Sequence, residues 1–233
     1  MCSMLHVVNR EMQRIEKPES LKVTARAEIK KLLVTGRWEQ GTLYSANTFA
    51  DLLGVSRTPV REALLELSAE GYLVAQDGKG FRIKEFSEQE IRDFFETRRV
   101  IELYVLERIV GRISSGETKA LRAFQRQMRD KLSVGDKVAF LDADKSFHLH
   151  LIDCHHNRHL TSVMDNIRDL ISVLGHEAII REGRPQQVID EHQAVVEAIE
   201  RGDAKRAVSA MRSHLEATEN YIVAQNQQRT SNP

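Results

Sequence analysis

Apolar residues recur at steps of three and four along most of the chain, the spacing of one helical face. Ala25, Ile29, Leu32 and Leu33 mark a first helix that Gly36 stops. Phe49, Leu52 and Leu53 predict one side of a short second helix, capped by Ser45 and closed by Gly54 in the left-handed conformation. Val60, Ala63, Leu64 and Leu67 carry a third, with Ser56 as its expected cap, Pro59 in its first turn and Gly71 at its end. Two short strands, 72–76 and 81–84, flank Asp77-Gly78-Lys79-Gly80 and predict a hairpin. Trp38 and Leu43 are expected to pack beneath the second and third helices. From Ser87, which forms a capping box with Glu90, the pattern is helical throughout: 88–113, 117–132, 137–154, 158–180, 185–200 and 204–225.

The expected fold is therefore mostly α: a winged helix-turn-helix of three helices and a hairpin, followed by an all-α bundle. Residues 1–19 read as a flexible arm, 20–85 as the first domain and 86–227 as the second. A chain of 233 residues with 41% hydrophobic content buries a core of that size.

Charge changes the picture only locally. The chain is neutral overall, but residues 22–84 hold ten Lys and Arg against seven Asp and Glu. Arg57, Thr58 and Arg61 fall on the solvent side of the third helix's first turns, where a recognition helix entering a major groove needs donors. Lys79 and Arg82 bring positive charge to the hairpin. The two cysteines, Cys2 and Cys154, predict no structural disulfide and a reduced, cytoplasmic compartment. No apolar run is long enough to span a membrane, and no export signal precedes the first helix.

Polar residues on the apolar faces of the second domain carry a different chemistry. Asp144 and His148 share a stripe with Leu141, Phe147 and Leu151. His192 shares one with Val188, Val195 and Ile199, and His214 one with Ala207, Ala210 and Tyr221. One carboxylate and three imidazoles directed inward satisfy one another through a divalent metal, or else remain core histidines bonded to neighbours. Zinc leads among the candidates, with nickel, manganese and iron also suited to the set. His155, His156 and His159 look like a second metal cluster.

The segment GVSRTPVREALLELSAEGYL, with GKGFRI after it, resembles the winged-helix domain of the GntR family of bacterial transcription regulators. The resemblance implies operator contacts by Arg57, Thr58, Arg61 and Gly78, with Ser56, Asn47 and Lys79 beside them. Asn47 stands where family members often carry a DNA-contacting arginine. FETRRVIELYVLERIV, DADKSFHLHLIDCHHNRHL and DEHQAVVEAIERGDAKRAVSAMRSHL resemble the FCD-type effector domain of one GntR branch. That resemblance implies metal ligation by Asp144, His148, His192 and His214 and a small organic-acid effector held near the metal. It also implies that His155, His156 and His159 are surface histidines in a polar turn around Asn157. Arg98 matches an arginine near that pocket, with a helix salt bridge to Glu102 as its other reading, and Arg168 is a second candidate. The implied protein is a homodimeric, nucleoid-associated repressor of a pseudo-palindromic operator in double-stranded DNA, not an enzyme. A metal-dependent hydrolase or a metal sensor using the same four residues is the alternative. No HExxH run is present, and Asp142 and Asp153 fall off the inward stripe.

Overall fold

The computed structural model describes residues 20–38, 41–179 and 183–230; the expected N-terminal arm lies outside them. Three helices come first, α1 (Leu21–Val34), α2 (Ala46–Leu53) and α3 (Arg57–Ala69), followed by β1 (Leu73–Gln76) and β2 (Gly80–Ile83). Six helices follow, α4 (Glu88–Ile109), α5 (Ser115–Ser133), α6 (Lys137–Asp153), α7 (Arg158–Ile179), α8 (Arg184–Glu200) and α9 (Ala204–Thr230). The chain forms two compact units, one of residues up to 31 with 43–82, the other of 32–42 with 83 onward. Trp38, whose N–H turns back to the Leu32 carbonyl, is buried within the second grouping.

In the first unit, Ala25 and Ile29 of α1 are buried, as are Phe49 of α2 and Val60, Ala63, Leu64 and Leu67 of α3. Ion pairs from Lys22 to Glu66 (2.6 Å) and Arg26 to Glu70 (2.7 Å) tie α1 to α3. The Ser45 hydroxyl accepts the Thr48 N–H at 3.1 Å, and Gly54 closes α2 with φ 65°. Leu52 and Leu43 are corrections to the expected core: Leu52 is 73% exposed and Leu43 37%. The buried face of α2 is set by Ala46, Phe49 and Ala50 instead, a narrower stripe suited to an eight-residue helix.

The two strands pair as a hairpin, and Phe81 also bridges to Tyr44 through N–H···O bonds of 2.8 and 2.9 Å. Gly80 is required by that bridge. Its φ is 135°, and a Cβ there would stand 2.5 Å from the Tyr44 carbonyl oxygen.

In the second unit, capping boxes start both α4 (Ser87, Glu90) and α5 (Ser114, Glu117), each satisfying two otherwise orphaned donors. Leu141, Asp144, Phe147, His148 and Leu151 form one buried stripe of α6, as the spacing predicts. On α9 the expected stripe is corrected. Ala210 and Tyr221 are half-buried, and the face runs through Ala207, Met211, His214, Leu215, Thr218 and Ile222. No helix among the described residues is long and apolar enough to cross a membrane.

Candidate functional site

Two sets of polar residues stand out, one turned outward and one inward. Arg57, Thr58 and Arg61 are exposed on the first turns of α3, opposite a face that is fully buried. Asn47 on α2 and Gly78 and Lys79 on the hairpin turn are exposed as well. Ser56 holds the N-cap position, with φ −69° and ψ 158°, but its hydroxyl makes no capping bond. A usual donor to such a hydroxyl is the N–H of the third helical residue, and that residue is Pro59, which has none. The predicted side-chain cap is therefore absent, and Ser56 is exposed.

In the second unit Asp144, His148, His192 and His214 are brought together. One ligand atom from each lies within 4.8 Å of the others, and all four residues are buried. His214 Nε2 is 3.3 Å from His148 Nε2 and 3.4 Å from His192 Nε2. Asp144 Oδ1 lies 3.6 Å from His192 Nε2 and 4.0 Å from His148 Nε2. Helices α6, α8 and α9 supply them, and Phe147 stacks on the His192 ring at 4.2 Å. A tetrahedral ion with metal–nitrogen bonds of about 2.0–2.1 Å sets its ligand atoms about 3.3–3.4 Å apart, so the two distances from His214 match one and the carboxylate oxygen lies slightly wide of it. Among the described residues this is the one such cluster; His156 and His159 are exposed, and His155 packs edge-on to Tyr104.

Electrostatics keep the set ready to ligate. Burial, then the Arg168 and Arg98 charges, hold the His148 imidazole well below its ordinary pKa. Burial and His214 do the same for His192. Neutral imidazoles offer the lone pairs a metal needs. Burial pushes the Asp144 carboxyl upward, but the Arg168 charge beside it outweighs burial and holds the group ionised.

Both arginines singled out in the sequence reach this centre. Arg168 donates to Asp144 Oδ2, leaving its buried Nε–H without a partner. Arg98, fully buried, donates from Nε to Glu102 Oε1 at 2.8 Å, so the helix salt bridge exists. Its other arm lies 3.3 and 3.4 Å from the two His148 nitrogens, and one terminal nitrogen has no partner. Burial draws its pKa down to about 10. The two sequence readings of Arg98 are thus both present in the geometry.

Residues 21–83 match the gntR family of bacterial regulatory proteins, and residues 93–217 match the FCD domain. The chain belongs to the GntR family. The HTH-type transcriptional regulator YdhC of Bacillus subtilis is 23% identical to it over 203 residues, 87% of this chain and 91% of that one. The Bacillus subtilis gluconate operon transcriptional repressor is 24% identical over 200 residues, 84% and 82% of the two chains. The solved structure of Escherichia coli McbR/YncC shares the fold, with a TM-score of 0.77 at 18% identity over 91% of this chain and 100% of that one. GntR regulators bind DNA and are regulatory rather than enzymatic, so the hydrolase alternative is set aside. The exposed carboxylates of Asp142 and Asp153 lie away from the buried centre.

Sequence reasoning missed how this GntR protein surrounds its centre. Glu102 Oε2 lies 2.5 Å from His148 Nδ1, and Glu191 Oε2 lies 2.6 Å from His214 Nδ1. Arg184, 1% exposed, reaches both Glu191 oxygens at 2.6 and 2.9 Å and Thr218 at 2.8 Å. Glu102 was visible only as the i+4 neighbour of Arg98. Glu191 sits beside His192 in sequence, about 100° around the helix from it, and serves a different ring.

Proposed function

We propose that this GntR regulator is a homodimeric repressor whose operator affinity answers to a small carboxylate held beside a metal ion. Arg57, Thr58 and Arg61 read a half-site in the major groove, and Asn47, Ser56, Gly78 and Lys79 contact the flanking backbone. Two such units match a pseudo-palindromic operator. The observation that carries the effector half is the convergence of four buried ligand atoms beside two arginines, each with an unpartnered buried N–H. Asp144, His148, His192 and His214 hold the metal, zinc first among the candidates, and a bound metal supplies a cationic point of attachment for a carboxylate oxygen. Arg98 and Arg168 contribute N–H donors to the same anion. The gluconate operon named for one relative is the kind of locus a sugar-acid effector suits.

Elemental analysis and native mass spectrometry of the freshly purified protein test this. A stoichiometric metal with a copurified small acid is the expected result. Apo-protein that takes up neither would overturn the effector half, and DNA binding would stand apart, decided by operator shifts.

A second reading, that the metal is itself the signal, is favoured by the bonds Arg98 and Arg168 already make to Glu102 and Asp144. Metal titration that changes operator affinity with no acid present would select it.

A further inference from the structure

Two chains of identical make-up end on the centre. Arg98, Glu102 and His148 form one, and Arg184, Glu191 and His214 form the other. An ionised carboxylate only accepts, so in both chains the imidazole hydrogen sits on Nδ1 and Nε2 keeps its lone pair. Those two Nε2 atoms face each other across 3.3 Å. Lone pairs so placed repel unless a cation lies between them. His192 is different: its buried Nδ1 has no partner, and no carboxylate fixes that side of the ring, on which Phe147 stacks.

We propose that Glu102 and Glu191 are the positioning residues of the centre, each fixing one histidine so that it ligates through Nε2, while His192 takes its tautomer from the metal. This rests on the metal reading above. The arginines keep each carboxylate from rotating. Glu102 uses both oxygens, Oε1 for Arg98 and Oε2 for His148, with all three side chains fully buried. An amide in its place has one acceptor for two donors. Glu191 likewise uses both oxygens, Oε1 for one arm of Arg184 and Oε2 for its other arm and for His214. Ligating histidines held in this way by carboxylates bind metal more tightly, and loss of the holding group weakens affinity by about 10–100-fold.

The test uses full-length, ¹⁵N-labelled protein stripped of metal. Long-range proton–nitrogen correlation near neutral pH is expected to find His148 and His214 with the hydrogen on Nδ1. Glu102→Gln should disturb the His148 pattern alone, and Glu191→Gln the His214 pattern alone. Zinc titration against a chelating indicator should then show each variant weaker than wild type by about 10–100-fold. Wild-type His148 or His214 with its hydrogen on Nε2 would overturn the proposal. Tight wild-type zinc binding unchanged in both variants would sink the positioning role alone. Absence of zinc uptake by the wild type, with the tautomers as stated, would sink the metal reading and this role with it. Should Glu102→Gln fail to fold because Arg98 is stranded, the double variant Arg98→Met/Glu102→Gln removes that charge too, and the same readouts decide.

Discussion

The two units use polar side chains in opposite ways. In the first, the candidate reading residues are all exposed, and the fold's task is to support them from behind with Val60, Ala63, Leu64 and Leu67. In the second, the polar residues are the interior: Asp144, His148, His192, Arg98, Glu102 and Arg168 are among its most buried side chains. An outward set binds a partner that arrives with its own charge, so it needs little internal compensation. An inward set must be satisfied within the protein, and Glu102 shows how, with one oxygen for Arg98 and the other for His148. The contrast teaches where substitutions do harm. Exposed polar side chains are separable from stability, whereas buried ones are coupled to their neighbours.

That contrast is sharpened first by His192→Ala, which should reduce metal affinity by more than the roughly hundredfold loss typical of an outer-shell change. Metal content after dialysis is the measurement, and the variant should still shift operator DNA in the absence of effector. Next comes Leu64→Ala, expected to destabilise the protein by about 2–5 kcal/mol in urea unfolding, because Leu64 is fully buried behind the reading face. Arg61→Ala should cost about 1–3 kcal/mol of operator binding per half-site in gel shifts while changing stability by less than about 0.5 kcal/mol. Equal losses in both quantities would place Arg61 in the fold and break the comparison. Smallest is a pair at two cap positions. Ser45→Ala should cost about 1 kcal/mol of stability, since its hydroxyl accepts the Thr48 N–H, and Ser56→Ala less than about 0.5 kcal/mol, since its hydroxyl caps nothing.

Sequence alone carried the elements and the four converging residues far better than it carried their surroundings. The helical periods around Val60–Leu67 and Leu141–Leu151 are local, so they are legible without tertiary knowledge. Asp144 and His148 are separated by one turn, and His192 and His214 each stand on an apolar stripe, which makes their direction readable. Leu52 misled because hydrophobicity was taken for burial in a helix too short to bury three large residues. Ser56 misled because the consequence of Pro59 at the third helical position was not carried through to the capping bond. Glu102 and Glu191 were not recognised as histidine partners because their partners lie 46 and 23 residues away on other helices. Charged residues at such spacing look like ordinary solvated helix faces until the helices are packed.

The backbone bridge from Tyr44 to Phe81 joins the entrance of the helix-turn-helix to the base of the wing. The hairpin is therefore braced against the entrance of α2 at a set span, like the jaws of a locked caliper. Little ordering entropy remains to be lost on docking. The same bracing leaves no room at Gly80, where a single added methyl group would meet the Tyr44 carbonyl oxygen.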